Sequence, residues 1–366
     1  MNILVLASAL SGGGIIIYEQ FINHLKEHID NNKYVILVNK NMSQPDIKGV
    51  MYLCRPIESK INRILFERYS LKKELYKNYS FIPDVLFSLQ NTGCKAFKDC
   101  RQIVYYHQSL PIYDRKWNLF KKEERIMFLY KHIFPIIVKR TFVPNTDIIT
   151  QIPFIKRGVE RIYNISPEKV HVCFPDIESI NISEVKKYDF EEGLHHFIYV
   201  AGYCNYKNHS TLVSAISNIR KYNPELCDRI RVHFTLKEDA VPELAQLIKT
   251  NNVEEQFVFE GLHPHDEILQ MYKSSRALLF PSSIETLGLP LLEAAAFGIP
   301  IIAADISYAH EVLGDYEGVI FRNPDDIASW ARDIEQLSVS KSQYNSLEQK
   351  SNSSWHRVFE LINSGI

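Results

Sequence analysis

The sequence predicts an α/β protein built from two doubly wound parallel-sheet domains, and three observations carry that prediction. At 366 residues the chain is too long for one ordinary core and suits two. Short apolar runs rich in β-branched residues alternate with longer periodic segments, as strands buried on both faces alternate with crossover helices. The alternation stops over "PDIESINISEVKKYDFEEGLHH" (175–196) and then restarts.

The first set of strands reads "NILVLAS", "YVILVN", "VLFSLQ", "QIVYYHQ" and "DIITQI", each followed by polar or helical sequence such as "IPFIKRGVERIYN". It predicts an amino-terminal domain over 1–180 and a linker over 181–196. The second set reads "HFIYVAG", "IRVHFTL", "FVFEG", "ALLFPS", "PIIAAD" and "GVIFR", separated by helices such as "NHSTLVSAISNIRKY" and "DDIASWARDIEQL". It predicts a carboxyl-terminal domain over 197–345, with a helix in 346–366 packing back towards the first domain. "MNILVLASAL" has no Lys or Arg ahead of a short apolar run and glycines straight after it, so it predicts a buried first strand rather than a secretory leader. No other stretch is long enough to span a bilayer.

Hydrophobic residues make up 46% and charged residues 23%, within the range of a protein with a large interior. The net charge of -1 conceals a split: residues 1–175 hold 26 Lys and Arg against 15 Asp and Glu, and the remaining 191 hold 16 against 28. The basic residues concentrate in "KINRILFERYSLKKELYKNY" (60–79) and "DRKWNLFKKEERIMFLYKHIFPIIVKR" (114–140), interleaved with aromatic and aliphatic side chains. Such segments fit a helix lying on anionic lipid, or a solvated helix face whose other side is in the core. Nucleic acid is not expected, since no RNP-type, helix-turn-helix or finger signature occurs. Six cysteines without a CxxC pair or a Cys/His cluster at zinc spacing predict a reducing compartment and no structural metal.

In open α/β sheets, ligands collect where strands run into loops at their carboxyl ends. Four such loops carry chemistry. "ASALSGGGIIIYEQF" places Gly12, Gly13 and Gly14 before a helix, as a close backbone approach to a ligand or as a plain tight turn. "VYYHQSLP" puts His107 where a strand gives way to a loop. "AGYCNYKNHSTL" sets Gly202 at a strand end and Lys207 just before a helix capped by Asn208 or Ser210, where the helix dipole repels an ammonium unless an anion lies between. "SSIETLGLPLLEAAAFGIP" (282–300) predicts Glu285 in a loop, Pro290 and Glu293 in the first turn of a short helix, and Gly298 at its end. Two carboxylates looking into one pocket suit paired sugar hydroxyls, and the Gly288 and Leu289 N–H groups at the helix start suit phosphate oxygens. The combination fits a sugar nucleotide. Glycoside hydrolysis by paired carboxylates, or two purely structural glutamates, are the rival readings of the same residues.

"ETLGLPLLE" resembles the E-x7-E motif of retaining glycosyltransferases of the GT-B fold, family 4. The likeness extends over "FPSSIETLGLPLLEAAAFGIPIIAADISYAHEVLGD" to "YKNHSTLVSAI" and, more loosely, to "IYNISPEKVHVCF" and "ASALSGGG". It implies two Rossmann-like domains facing a cleft, with the first on the acceptor side, and transfer of a hexose to a glycan or lipid-linked acceptor in surface polysaccharide synthesis. By resemblance Glu293 would hold ribose hydroxyls, Glu285 and His107 would contact the transferred sugar, and Lys207 would neutralise the departing diphosphate. Gly288 and Leu289 would offer N–H groups, Gly13 and Gly14 would sit where phosphate and acceptor meet, and Thr286, Leu287, Gly202 and Asn208 complete the substrate-binding set. The donor would be a UDP- or GDP-sugar, with no metal and no other cofactor, in a cytoplasmic protein that can also lie peripherally on the membrane. Two departures stand out: Leu287 replaces the family's usual Phe, and Tyr203 stands where many members have an Arg, leaving Arg276 or an amino-domain residue to supply a second cation. A sugar-nucleotide epimerase and a non-catalytic binding protein are the alternatives in function, and a dinucleotide dehydrogenase lacks its GxGxxG.

Overall fold

The computed structural model describes residues 1–10, 12–55, 59–176, 180–340, 342–347 and 354–364. Ser11 of the glycine loop, residues 177–179 just ahead of the linker, and residues 348–353 and 365–366 of the last segment therefore lie outside the described residues. The chain divides into two compact units, Met1–Asp176 with Ser351–Ile366, and Ile177–Lys350.

In the first unit β1 (Asn2–Leu6), α1 (Gly13–His28), β2 (Lys33–Val38), β3 (Val50–Cys54), α2 (Lys60–Tyr69), α3 (Leu71–Tyr79) and β4 (Val85–Ser88) come first. They are followed by β5 (Arg101–Tyr105), α4 (Arg125–His132), α5 (Phe134–Lys139), β6 (Thr146–Thr150), α6 (Pro153–Tyr163) and β7 (Val170–Val172). The sheet order is β3-β2-β1-β4-β5-β6-β7, every pairing parallel. Both faces are buried: Ile3, Val5 and Ala7 point to α1 on one side, Leu4 and Leu6 to α3 on the other. This double burial is why the central strands read as unbroken apolar runs. The edge strands β3 and β7 were not foreseen: β7 is three residues with His171 at its centre, and β3, although apolar in sequence (VMYLC), is only partly buried.

The second unit holds β8 (His195–Tyr199), α7 (His209–Tyr222), α8 (Pro224–Asp228), β9 (Ile230–Phe234), α9 (Pro242–Thr250), β10 (Phe257–Phe259) and α10 (His265–Ser274). Then come β11 (Ala277–Phe280), α11 (Leu289–Ala296), β12 (Ile301–Ala304), α12 (Ser307–Leu313), β13 (Val319–Arg322) and α13 (Ile327–Val339). Its parallel sheet runs β10-β9-β8-β11-β12-β13. The chain's last helix, α14 (Trp355–Asn363), belongs to the first unit, with Trp355, Val358, Phe359 and Ile362 buried against α1.

The stretch read as a linker is not a bare tether. Lys273 donates to the carbonyls of Ile182 and Val185, the Tyr188 N–H donates to Ser274 Oγ, and Phe190 stacks on His196 at 4.5 Å. It is held by hydrogen bonds to its backbone and by an aromatic anchor, Phe190, rather than by a repeating apolar stripe, so it carries no periodicity for a sequence reading to detect.

Candidate active site

Strand order reverses between β8 and β11, and the loops leaving those two strands are the ones carrying Lys207 and Glu285. Diverging connections open a crevice at such a point, which makes it the natural ligand position of a doubly wound sheet. The two loops are tied together. Asn208 Nδ2 donates to the Pro281 carbonyl at 2.7 Å and to Ser283 Oγ at 2.6 Å, and the Ser283 N–H donates to the Tyr206 carbonyl at 2.8 Å. Lys207 Nζ makes an ion pair with Glu285 Oε1, both side chains largely buried at 17% and 15% exposure. The fully buried Tyr199 hydroxyl fixes the Lys207 carbonyl at 2.6 Å.

Two expectations change here. Asn208 stands at the N-cap position of α7, but in a left-handed conformation (φ 52°) without a capping hydrogen bond; its side chain joins the loops instead. The anion that the helix dipole demands beside Lys207 is the Glu285 carboxylate, within the protein itself. Gly202 is exposed with open space around its Cα, so nothing in the loop requires a glycine there.

Gly288 is the N-cap of α11 at φ 74°, and an added Cβ would lie 3.3 Å from the Tyr308 ring. That conformation favours glycine. Pro290 sits in the first turn, and the first helical N–H bond is Leu291 to the Gly288 carbonyl at 2.9 Å, so the Gly288 and Leu289 N–H groups precede the ladder. Leu287 is buried and anchors the loop, whereas Thr286 is partly exposed beside Glu285 in sequence.

Glu293 is the fifth residue of α11, in the second turn rather than the first, because the helix begins at Leu289. Its Oε1 lies 2.9 Å from His265 Nε2, and its Oε2 accepts from the Tyr272 hydroxyl at 3.1 Å. Burial first, and the Glu293 charge second, push the Tyr272 phenol well above its usual range, so it stays a donor. His265 and Tyr272 were missed. Their seven-residue spacing on α10 puts them on one face, a signal that becomes meaningful only when α10 is known to lie against α11.

Arg276 cannot supply the cation that Tyr203 lacks. It precedes β11 at the strand's amino end, where its N–H donates to the His196 carbonyl and its guanidinium lies 3.4 Å from His195 Nδ1. Glu285 follows the carboxyl end of the same strand, about 13 Å further along at 3.3 Å per residue.

In the first unit, loops after β1, β4 and β5 are linked in the same way. The Ala9 N–H donates to Gln90 Oε1 at 3.3 Å, and the His107 N–H donates to Asn91 Oδ1 at 2.7 Å. Asn91 Nδ2 in turn lies 3.1 Å from His107 Nε2. Desolvation pushes the half-buried imidazole down to about 4, so it is neutral near pH 7 and accepts that bond at Nε2. An added Cβ on Gly14 would stand 3.3 Å from His107 Nε2, so the glycine makes room for the ring. Gly13 starts α1 in the open. Asn91, at φ 65°, is the residue the sequence did not offer; a lone Asn after a strand has no distinguishing pattern.

The profile of the Glycosyl transferases group 1 family matches residues 182–353. Over 223 residues the chain is 26% identical to the O-antigen chain mannosyltransferase RfbU of Salmonella typhimurium, a match covering 60% of this chain and 59% of that one. The chain thus spans less than two thirds of that curated relative's length. WaaG, a glycosyltransferase involved in lipopolysaccharide biosynthesis, shares the fold with a TM-score of 0.66 over 99% of each chain at 14% identity. HepE of Anabaena, solved in complex with UDP and glucose, does so with a TM-score of 0.63 over 99% of this chain and 95% of that one at 13% identity. With a parallel-sheet crevice of this construction in residues 182–353, the chain carries a glycosyl transferases group 1 domain within a two-domain GT-B fold.

Proposed function

We propose that the protein is a retaining hexosyltransferase that moves a sugar from a nucleoside-diphosphate donor to a glycan or lipid-linked acceptor in surface polysaccharide synthesis. The observation that carries this reading is the paired Lys207 and Glu285 at the β8/β11 switch point, in the unit where the amino end of α11 offers the N–H groups of Gly288 and Leu289. The names of its relatives, RfbU among them, support O-antigen assembly, with mannose the first sugar to test.

In this scheme Glu293 takes the ribose hydroxyls. A carboxylate has about four lone-pair sites, so His265 and Tyr272 orient it and leave acceptor capacity. Lys207 turns from Glu285 to the diphosphate, and Glu285, released from the ammonium, contacts the sugar. The bond from the anomeric carbon to the diphosphate oxygen breaks while the acceptor oxygen bonds the same face of that carbon. The acceptor's proton passes to the departing diphosphate. Lys207 and the N–H groups meet the developing charge without a metal; one such donor contributes on the order of 3 kcal/mol in the transition state. In the first unit, neutral His107 and the glycines Gly13 and Gly14 are the candidate substrate-contacting residues by resemblance, His107 as an uncharged group rather than as a cation.

The acceptor side would rest on an anionic membrane at the cytoplasmic face. No helix among the described residues is long and apolar enough to cross one. α4 buries none of its residues, and Phe120 (88% exposed), Ile126 and Ile136 stand out to solvent in the basic segment 114–140. This is the arrangement of a surface that dips side chains into lipid headgroups.

The test is transfer from GDP-mannose, UDP-galactose and UDP-glucose to lipid-linked acceptors, with the product anomer read by NMR. Transfer with retention by the wild type, abolished in Lys207→Ala, is the expected result. Donor converted to an epimer without acceptor, or nucleotide bound with no turnover of any donor, would overturn it. For the membrane part, Phe120→Glu should reduce sedimentation with phosphatidylglycerol vesicles; unchanged sedimentation removes this patch from the scheme.

A further inference from the structure

On α1, the pentapeptide "HLKEH" puts His24, Glu27 and His28 at i, i+3 and i+4, on one helix face. Each offers one ligand atom, and the three atoms lie within 4.8 Å of one another. We infer that these three side chains form a binding site for a divalent transition metal, of the zinc class, that fastens α14 to α1.

The surroundings are those of a prepared site. A ligating imidazole uses one nitrogen for the metal and gives its other N–H to an acceptor, which sets the tautomer. His24 Nε2 lies 2.5 Å from Asp176 Oδ2, and His28 Nδ1 lies 3.0 Å from the His24 carbonyl. Each ring thus has an oxygen acceptor on one nitrogen and the other nitrogen left to carry a lone pair. Asp176 is itself fixed: its N–H donates to Gln20 Oε1 at 3.0 Å, and Gln20 Nε2 donates to its carbonyl at 2.9 Å.

The donor set selects the ion. Two imidazoles and one carboxylate suit zinc, cobalt or nickel, with an outer position for water beside the exposed Glu27. Calcium and magnesium prefer all-oxygen shells. Ligands about 2.1 Å from a tetrahedral zinc lie about 3.4 Å apart, so atoms already within 4.8 Å of one another need close by no more than about 1.4 Å.

The same rings lean on the chain's last helix. His24 stacks on Trp355 with centroids 6.0 Å apart and planes at 20°, and His28 on Phe359 at 4.7 Å and 10°. Trp355 Nε1 also donates to Gln20 Oε1 at 3.2 Å. A metal that fixes the two imidazoles fixes the surface on which α14 sits. The site lies eleven to fifteen residues along α1 from Gly13, about 16–22 Å at 1.5 Å per residue, so it is separate from the proposed chemistry and independent of it.

The experiment uses the full chain, stripped with EDTA and dialysed, titrated with zinc chloride against a chromophoric chelator. Cobalt substitution gives a visible spectrum, and the thermal midpoint is recorded with and without metal. Expected is one zinc per chain in the wild type that is absent in His28→Gln, weakened at least tenfold in Glu27→Gln and ten- to a hundredfold in Asp176→Asn. Zinc should raise the midpoint of the wild type and not of His28→Gln, while magnesium raises neither. Glu27 is exposed, so its variant keeps the fold and decides the matter even if His28→Gln does not fold. Zinc binding of equal affinity in the wild type and Glu27→Gln, or no stoichiometric binding to the wild type, overturns the proposal.

Discussion

Glu285→Gln should make the protein bind a nucleoside diphosphate more tightly while transferring sugar more slowly. The substitution keeps the side chain's shape and removes its charge, so Lys207 loses the anion that holds it in the absence of substrate. Removing one partner of a fully buried pair costs about 3–5 kcal/mol, and exposed pairs are worth about 0.2–1 kcal/mol. At 17% and 15% exposure this pair falls between, about 1–2 kcal/mol. A diphosphate that recruits Lys207 must loosen that pair and approach the carboxylate. Without the carboxylate, UDP or GDP should bind roughly 5- to 30-fold more tightly. Calorimetry at fixed ionic strength reads this directly, because a nucleotide without its sugar isolates the Lys207 step from any contact of Glu285 with the hexose. Lys207→Met should weaken the same nucleotide, and adding Glu285→Gln to it should bring no further gain, since the two residues act through one contact. Transfer by Glu285→Gln should fall by about two orders of magnitude. Nucleotide affinity unchanged or reduced in Glu285→Gln, with Lys207 intact, would refute the reasoning.

Gly288→Ala should lower the midpoint of the second unit by the equivalent of about 1–2 kcal/mol, read by thermal denaturation, because φ 74° is strained for alanine and its Cβ meets Tyr308 at 3.3 Å. His209 is 2% exposed, packed against Tyr199 and Phe234 with no hydrogen-bond partner for either ring nitrogen among the described residues, and burial pushes it down to about 3. The unfolded chain, with a pKa of about 6.5, binds the extra proton, so the stability is whole above pH 6.5 and is lost as pH falls towards 3, about 2 kcal/mol of it by pH 5. His209→Phe should flatten the midpoint-against-pH curve over that range; an unchanged slope counts against it. Gly158→Ala should destabilise the first unit by about 1–3 kcal/mol in chemical denaturation, since its Cβ would fall within 2.9 Å of Ile112 Cγ1 and the packed Ile112 must move.

The local signals in the chain were strong where burial was complete. β1, β2 and β4 are apolar but for one end residue each because helices cover both faces, β5 and β6 keep shorter apolar centres, and glycine and proline punctuate the loops around Gly288 and Pro290 clearly enough to place a helix start. Of the edge strands, β7 gave too little, three residues around a histidine, whereas β3 (VMYLC) carries an apolar run that the reading passed over. Glu293 was placed one turn early because a helix boundary is a property of caps and packing, not of the residues' spacing alone.

The sequence by itself determined the class of fold, the number of units and the identity of the loops that leave strands β8 and β11, since these follow from side-chain type within windows of a few residues. Only the tertiary structure decided that Lys207 and Glu285, 78 positions apart, share one ion pair, and that Glu293 rests on Tyr272. It likewise put Arg276 at the wrong end of its strand and brought Asp176 to His24 across 152 positions. Those pairings depend on the order in which parallel strands join, and that order is set by how well whole helices and sheets bury one another's surfaces, a long-range free energy that no short window of sequence contains.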